Sequence, residues 1–486
     1  MEKSMSEVSS EESSINRILM EVLSKIKPAE IVRSRLIATY EAIRGIVQRC
    51  LEAKSLMNFE ISLQGSTAKD TFLNDEVDLD VFVLFNPANY GIEWINREFV
   101  GIITKCLQDQ GYSTIVKYAA HPYVTTYFNG VEVDIVPALR IENPKNTISA
   151  VDRTPFHTHY VKSKLYEEKS KDEVRLLKAF LKAWNLYGAE IRVQGFSGYL
   201  VELLIIKYKS FLNVLKASQS WRAYKTCIEI EEYYGDERAC RKNFKKDVLV
   251  VVDPVDPNRN VAASLSLKSY AYFKMLARLF LEKPAKEFFE VEHETGVSIN
   301  ELVKLIEERQ RNLGSCIIAV YYTVTKNSPD VVWGQLKRIQ RIIRNTLEKY
   351  GYKWVYVDSW VNDEMSKALT VVEVIDCGNY EVHIGPPAYD AEAINFLKKN
   401  FNAIIGPWIE EKGNIVCIRK RKYGPVEIIQ KAIEAFTPTS VKVEEVKNIA
   451  SVNDVQLISD SNFTIWFKNF LYRKHFNKIA KIVSKN

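Results

Sequence analysis

LQGSTAKDTFLNDEVDLDVFVLF, residues Leu63 to Phe85, is the stretch that decides the fold of this chain. An alternating run that leads into it, Phe59 to Leu63, predicts a strand that ends at a Gly-Ser turn. After a short helical segment and a polar loop, Val77 to Phe85 predicts a second strand. Because residues i and i+2 of a strand share a face, Asp78 and Asp80 stand side by side, opposite an apolar face.

Two adjacent carboxylates favour a bound cation. Unpaired carboxylates side by side repel each other and raise each other's pKa, and a divalent cation relieves that repulsion. Carboxylate oxygens suit Mg²⁺, which keeps several waters and is usually shared with substrate phosphates. Gly65 and Ser66, in the turn before the helical segment, supply backbone N–H groups and a hydroxyl for phosphate. The stretch therefore predicts a magnesium site that faces a nucleoside triphosphate.

A second acidic strand strengthens this interpretation. Asp-x-Asp and Gly-Ser are each common in proteins that bind neither metal nor phosphate, so neither motif is sufficient alone. The run VEVDIVP, Val131 to Pro137, predicts another alternating strand, with Asp134 on one face. Metal-dependent nucleotidyl transfer needs carboxylates from more than one strand to clamp two ions. Asp78, Asp80 and Asp134 are therefore predicted to be the catalytic and metal-binding residues.

The same stretch resembles the signature of the nucleotidyltransferase superfamily, which includes polymerase β and the poly(A) polymerases. Other blocks resemble the archaeal CCA-adding enzymes, the class I tRNA nucleotidyltransferases, and the resemblance is continuous from about Ile31 to Phe289. These blocks are AAHPYV at Ala119 to Val124, RTPFHTHYV at Arg153 to Val161, DEVRLLKAFLKAWNLYGAEIRVQGFSGYLVELL at Asp172 to Leu204, and DPVDPNRNVA at Asp253 to Ala262. The motifs GFSGYL and DPVDPNRNVA distinguish this family from nucleotidyltransferases at large.

The resemblance implies an enzyme that adds or repairs the 3′-terminal CCA of tRNA without a nucleic-acid template. It implies CTP and ATP as substrates, a two-metal mechanism with Mg²⁺, and release of pyrophosphate. Beyond Gly65 and Ser66, the residues that it implies in nucleotide binding are Lys69, His157, Lys178, Tyr187 and Arg259.

Three of these positions have a second interpretation. A lone His157 or Lys178 at a domain junction is usually structural or solvated. Arg259 is expected to select the base or the RNA backbone, but it could instead form an ion pair with Asp253 or Asp256. Lys69 departs from the family pattern, which commonly has Arg there. Lysine keeps the charge but loses the bidentate fork, which weakens the expected phosphate contact.

The bulk composition is that of a soluble protein of several domains. The chain has 486 residues, of which 47% are hydrophobic and 26% charged, with a net charge of +6. Seven dispersed cysteines without a Cys-x-x-Cys pair predict a reducing compartment and neither a disulfide framework nor a zinc site. The polar, acidic N-terminus does not resemble a signal peptide, and no apolar run is long enough for a membrane span. We expect a cytoplasmic protein without a membrane partner.

The pattern of elements predicts an α+β multidomain fold. A polymerase β-like nucleotidyltransferase head over residues 1–155 precedes a helical neck over residues 156–290. A β-α-β-β pattern then predicts a ferredoxin-like, RRM-like RNA-binding body over residues 291–380 and 430–486. A small α/β tail over residues 381–429 separates the two parts of the body.

Basic clusters in the last regions are candidates for RNA contact. They are Lys337, Arg338, Arg341 and Arg344 on one helix, the run Arg419 to Lys422, and a C-terminal helix with Lys468, Arg473, Lys474, Lys478 and Lys481. For the first cluster, a solvated helix face explains the charges equally well. The expected partner is tRNA that lacks all or part of its CCA end, and a homodimer is possible. Two alternative functions remain, a poly(A) polymerase and a non-catalytic RNA-binding protein on the same fold.

Overall fold

The computed structural model describes most of the chain as two compact units. The described residues are 5–118, 121–144, 147–291, 298–325, 328–449, 454, 460–473, 477, 479–480 and 484, with side chains from residue 13 onward. The first unit comprises residues 1–292 and 476–486, and the second comprises residues 293–475. Ala119 and Ala120 of the AAHPYV block, and Lys474, Lys478 and Lys481, lie outside the described residues.

A five-stranded sheet forms the centre of the first part of the chain. Its strands are β1 (Phe59–Gln64), β2 (Asp78–Phe85), β3 (Thr114–Tyr118), β4 (Pro122–Phe128) and β5 (Val131–Leu139), in the order β1-β2-β5-β4-β3. The β2–β5 pair is parallel, and the other three pairs are antiparallel. The helices of this region are α1 (Met5–Ile26), α2 (Glu30–Glu52), α3 (Gly65–Lys69), α4 (Ile92–Trp94) and α5 (Val100–Asp109), with a π-helical turn at Ile95–Phe99. The buried faces of α2 and α5 pack with the apolar side of the sheet in one core.

Helices dominate the remainder of the first unit. They are α6 (Thr154–Lys164), α7 (Glu168–Lys182), α8 (Gly198–Tyr208), α9 (Phe211–Ser218), α10 (Glu237–Asn243) and α11 (Leu267–Glu282), with 3-10 turns at Ala150–Arg153 and Lys286–Phe289. A small sheet, β6 (Cys227–Ile228), β7 (Val250–Asp253) and β8 (Asp256–Asn260), lies among them in that order. Their core is built on fully buried aromatic rings such as Phe180, Phe211 and Phe280. Leu19 and Val22 of α1 pack into the same core.

The second unit contains a four-stranded antiparallel sheet. Its strands β9 (Cys316–Val324), β10 (Lys353–Val361), β11 (Lys367–Ile375) and β15 (Val441–Asn448) lie in the order β10-β11-β9-β15. Its helices are α12 (Ile299–Leu313), α13 (Pro329–Lys349), α15 (Pro425–Phe436) and α16 (Ser461–Tyr472). Along the chain, β9-α13-β10-β11-α15-β15 is the β-α-β-β-α-β order of a ferredoxin-like unit. Helices α12 and α16 pack on one face of the sheet.

The tail is inserted between β11 and α15. It consists of β12 (Tyr380–Pro387), α14 (Glu392–Lys399), β13 (Ile405–Ile409) and β14 (Asn414–Lys420), and its sheet has the order β12-β14-β13. The predicted α+β multidomain class, with a ferredoxin-like body, is confirmed. The residue limits given above for head, neck, body and tail remain a prediction.

The prediction that the cysteines form no disulfide framework is wrong. Three disulfides join Cys50 to Cys106, Cys227 to Cys240, and Cys316 to Cys377, while Cys417 is free and buried. The Cα–Cα distances are 5.8, 6.4 and 6.1 Å, within the range that a disulfide requires. Two of the pairs are 56 and 61 residues apart in the sequence, so only the packing of the folded chain brings them together.

No helix among the described residues is both long enough and apolar enough to cross a membrane.

Candidate active site

Three carboxylates converge on two neighbouring strands. Strand β2 carries Asp78 and Asp80, β5 carries Asp134, and the parallel register places Asp80 opposite Asp134. Leu79 and Val81, which alternate with these acids along β2, are fully buried in the core that the sheet shares with α2 and α5. The acids therefore project from the other face of the sheet, as the alternation predicts.

The electrostatics of these acids suit a divalent cation. Burial, together with the charges of Asp78 and Asp134, raises the pKa of Asp80 to about 7. Burial and the charge of Asp134 raise the pKa of Asp78. Burial also raises the pKa of Asp134, although Oγ1 of Thr125 donates a hydrogen bond to it at 2.5 Å. Three acids that repel one another and supply only oxygen ligands form a donor set that fits Mg²⁺.

Gly65 brings the backbone of the Gly-Ser turn against this cluster. Strand β1 pairs with β2 so that Gln64 lies opposite Asp80, and α3 begins at the next residue. Gly65 has a φ of +69°, and a Cβ at this position would lie only 1.7 Å from Oδ2 of Asp80. Only a residue without a side chain permits this approach. Ser66 is the next residue, in the first turn of α3.

A buried glutamate organises the two lysines of the predicted site. Nζ of Lys69 lies 2.7 Å from Oε2 of Glu202, whose other oxygen accepts a hydrogen bond from Oγ1 of Thr71 at 2.6 Å. Nζ of Lys178 donates to the carbonyl oxygen of the same threonine at 2.9 Å. Burial lowers the pKa of Lys178 to about 8. Its ammonium also lies over the ring of Tyr187, 5.9 Å from the centroid.

Glu202 was not among the predicted site residues. It lies in α8, within the apolar run YLVELLII, and is fully buried. A charged residue in the buried face of a helix requires a charged or hydrogen-bonding partner. The single acid in that run was the signal available in the sequence, although it does not identify Lys69 as the partner.

A second network holds His157 and Arg259. Both contact the buried carboxylate of Asp253: Nε2 of His157 is 3.0 Å, and Nη1 of Arg259 is 2.7 Å, from its Oδ2. Burial alone would raise the pKa of Asp253, but the hydrogen bond from His157 and the charge of Arg259 help to hold it below its usual value. Burial lowers the pKa of His157 despite its acidic partner. The ion pair between Arg259 and Asp253, which was predicted as an alternative role for Arg259, is therefore present. Asp256 instead pairs with Arg153 at 3.3 Å.

Tyr199 connects the two networks. Its hydroxyl donates to Oδ1 of Asp253 at 3.1 Å, and its ring stacks on His157 with a centroid distance of 4.1 Å. Nζ of Lys69 lies 5.9 Å from the centroid of the same ring. The charge of Lys69 partly opposes the rise in the pKa of Asp80 that burial and the neighbouring acids cause. Residues from the sheet and from the helical part of the first unit thus form one continuous polar site.

The fold and the site together define a class of protein. A Gly-Ser turn and three acids on a parallel strand pair are the elements of a polymerase β-like nucleotidyltransferase. The chain matches the nucleotidyltransferase domain over residues 43–157, the second domain of tRNA nucleotidyltransferases over residues 172–290, and the C-terminal domain of CCA-adding enzymes over residues 313–449. Nucleotidyltransferases generally use divalent metal ions.

Curated relatives identify the family within that class. A CCA-adding enzyme of Saccharolobus solfataricus is 39% identical over 413 residues, which cover 85% of this chain and 90% of the relative. The CCA-adding enzyme of Pyrobaculum islandicum is 35% identical over 414 residues, covering 85% and 91% of the two chains. The chain belongs to the CCA-adding enzymes, a family of tRNA nucleotidyltransferases. This membership confirms the predicted resemblance and favours it over both alternative functions.

Proposed function

We propose that this chain completes or repairs the 3′-CCA end of tRNA by adding nucleotides from CTP and ATP without a template. The observation that carries the proposal is the convergence of Asp78, Asp80 and Asp134 beside the Gly65 backbone. The substrate is tRNA that lacks all or part of this end.

Asp78, Asp80 and Asp134 would bind two Mg²⁺ ions. Bound there, the ions would activate the 3′-hydroxyl of the tRNA and neutralise the charge that develops on pyrophosphate. Asp78 and Asp80 lie on one strand and would share the ion that accompanies the triphosphate. Asp134 lies on the adjacent strand and would complete the binding site of the second ion. The raised pKa values of these acids are consistent with a site built for added positive charge.

The surrounding residues would bind and orient the nucleotide. Gly65 and Ser66 offer backbone N–H groups and a hydroxyl for phosphate, and Lys69 adds a positive charge that Glu202 holds in place. Lys178 and Tyr187 lie together behind this turn. Fixed donors of this kind stabilise developing charge because they need no reorganisation during the reaction.

Arg259 is the residue that we assign to base selection, with His157 beside it. A guanidinium discriminates between base edges only if its orientation is fixed. Asp253 supplies that restraint through the 2.7 Å ion pair, so the ion pair is compatible with selection. The half-exposed arginine keeps other N–H groups available for a ligand.

The remaining assignments concern the setting of the reaction. We place the enzyme in the cytoplasm, and we propose that it acts as a homodimer. The three disulfides do not exclude this compartment, because some intracellular proteins contain disulfides. The body and tail would supply the tRNA-binding surface.

The proposal is tested with a tRNA transcript that lacks CCA, labelled CTP or ATP, and Asp134→Asn. The wild type should add three nucleotides and stop, whereas Asp134→Asn should lose at least about 100-fold in rate while binding tRNA normally. Glu132→Gln is the matched control, because Glu132 lies two residues away on the same strand face but is paired with Lys117 at 2.5 Å. A lengthening ladder of products would indicate a poly(A) polymerase. An active Asp134→Asn would contradict the metal assignment.

A further inference from the structure

Two cysteines and a glutamate of the first unit meet at one point, apart from the residues assigned to the candidate active site. Cys227 is in β6, Glu229 directly follows that strand, and Cys240 is in α10. The two sulfur atoms and one carboxylate oxygen all lie within 4.8 Å of one another. The Cα atoms of the cysteines are 6.4 Å apart. The chain therefore places two sulfur ligands and one oxygen ligand within reach of a single ion.

The carboxylate of Glu229 is held in place without a cation. Its Oε2 accepts a hydrogen bond from the backbone N–H of Tyr234 at 2.9 Å. Among the described residues, no lysine or arginine forms an ion pair with Glu229, whereas the nearby Glu231 pairs with Lys164 at 3.1 Å. Hydrogen bonds of this kind orient the ligands of metal sites. Glu229 is thus a fixed negative charge beside two sulfur atoms.

The surroundings of the sulfur atoms are apolar on one side and acidic on the other. Cys240 is fully buried and packs with Phe244 and Val250, and Cys227 packs against the same cluster. An apolar shell limits the access of water to a metal site. The segment between the cysteines, residues 228–239, contains five acids and one arginine. This excess of negative charge raises the local concentration of cations.

The same segment supports the loop that carries Arg259. The hydroxyl of Tyr233 donates to the carbonyl oxygen of Pro254 at 2.6 Å, and that of Tyr234 donates to the carbonyl oxygen of Pro257 at 2.6 Å. Strand β6 also pairs in parallel with β7, the strand that precedes this loop. A link between the two ends of the segment therefore restrains the support of the candidate selection residue.

We propose that Cys227, Glu229 and Cys240 form a Zn²⁺ site that is open when the disulfide between the cysteines is reduced. Zn²⁺ takes thiolate and carboxylate ligands in a tetrahedral arrangement, and water completes a set of three protein ligands. Thiolate sulfur selects Zn²⁺ over Mg²⁺, which prefers oxygen. With Zn–S bonds of about 2.3 Å, the two sulfur atoms stand about 3.8 Å apart, so the ion and the disulfide exclude each other. The site goes beyond the proposed function and depends on none of the catalytic assignments.

The change from disulfide to metal site is a reduction followed by an exchange of protons for the ion. A phosphine supplies two electrons to the S–S bond and is oxidised to the phosphine oxide. Its phosphorus takes the oxygen of one water molecule, and the two sulfur atoms take the two protons of that water. Zn²⁺ then binds both sulfur atoms as thiolates, and the two protons pass to solvent.

The test titrates the full chain with Co²⁺ as a probe for the Zn²⁺ site. Co²⁺ bound to thiolate sulfur has an intense charge-transfer absorption in the near ultraviolet, which Co²⁺ bound to carboxylates lacks, so the three catalytic acids do not contribute to it. The enzyme is reduced with a phosphine, separated from the reductant without air, and then titrated. The reduced wild type should show this absorption with one Co²⁺ per chain, and excess Zn²⁺ should abolish it by displacement. The oxidised wild type should lack it.

Substitutions assign the absorption to this site. Cys227→Ser should abolish it, whereas Cys316→Ser with Cys377→Ser, which removes another disulfide pair, should leave it unchanged. Glu229→Gln keeps both sulfur atoms and should weaken Co²⁺ binding at least about 10-fold, because even groups that only orient ligands contribute that much. Its matched control is Glu232→Gln, at an exposed acid of the same segment outside the cluster, which should bind Co²⁺ as the wild type does.

The glutamine variant also guards against misfolding, because it leaves both cysteines in place. Circular dichroism reports whether each variant retains the fold. A reduced wild type without the absorption, a Cys227→Ser variant that keeps it, or a folded Glu229→Gln variant with unaltered affinity would each overturn the inference. Equal loss in Glu232→Gln or in the other cysteine variant would do the same. Nucleotide incorporation is not measured, so failure of this site leaves the proposed function untouched.

Discussion

Adding one methyl group at Gly65 should displace the carboxylate of Asp80. A Cβ at Gly65 would lie 1.7 Å from Oδ2 and 2.8 Å from the carboxyl carbon of Asp80. Non-bonded heavy atoms need about 3.5 Å, so the two groups must separate by roughly 1.8 Å. A misplacement of about 1 Å in a reacting constellation costs on the order of 100-fold in rate. We therefore expect Gly65→Ala to lose at least about 100-fold in kcat/KM for nucleotide addition.

The backbone cost of the same substitution has to be separated from the clash. Alanine at a positive φ costs about 1–2 kcal/mol, whatever surrounds it. Gly130, in the turn between β4 and β5, has a φ of +72°, and a Cβ added there would meet no atom within 4 Å. Because the φ of Gly65 is +69°, Gly130→Ala should incur the same backbone strain as Gly65→Ala. Unlike Gly65→Ala, it would not touch a carboxylate.

The assay combines nucleotide incorporation on a tRNA transcript that lacks CCA with thermal unfolding of each variant. Both variants should unfold at a somewhat lower temperature than the wild type, and only Gly65→Ala should lose activity. If Gly65→Ala kept kcat/KM within about threefold of the wild type, the contact with Asp80 would not control the reaction. An equal loss of activity in Gly130→Ala would assign the effect to backbone strain.

Three further predictions test the networks around the acids and the basic tail. Arg259→Ala should lose about 10- to 100-fold in discrimination among the four nucleoside triphosphates, while its affinity for tRNA stays nearly unchanged. Discrimination is measured on tRNA that ends in C, in CC or in neither. Unaltered discrimination would make Arg259 a structural residue. Glu202→Gln should lower the free energy of unfolding by about 3 kcal/mol, because it leaves Lys69 without its counter-charge. A thermal unfolding curve that matches the wild type would contradict this prediction. The double variant Lys420→Ala with Lys422→Ala should flatten the salt dependence of tRNA binding. Arg421→Ala should mainly reduce stability, because the side chain of Arg421 is only 8% exposed. Equal salt slopes for the wild type and the double lysine variant would place the two lysines outside the RNA footprint.

The common face of the candidate catalytic acids could be predicted from the sequence because strand alternation is a local property. The spacing of Asp78 and Asp80 fixes their common face whatever the rest of the chain does. Asp134 could be added as an acid on another strand, but its pairing with Asp80 depends on a long-range parallel register. The ferredoxin-like body was predictable for the same reason, since each of its elements has a strong local pattern.

The supporting residues could not be assigned in this way. Glu202 pairs with Lys69, which is more than a hundred residues away in the sequence. Asp253 pairs with His157, which lies on a different element. A single sequence carries no record of which buried acid meets which cation. The disulfide between Cys316 and Cys377 was missed for the same physical reason, because its two ends meet only after β9 and β11 have paired.

The tail begins and ends at neighbouring points of the body. Tyr380, its first strand residue, is the register partner of Lys420, its last, so the insertion enters and leaves the ferredoxin-like unit side by side. A segment attached in this way behaves as a module, because replacing it with a short turn would leave the ends of β11 and α15 within reach of each other. In the course of evolution, the tail surface could therefore be lengthened, exchanged or lost without disturbing the strand order of the body. The surface that the tail presents could then change from one lineage to another while the arrangement of the three acids stayed the same.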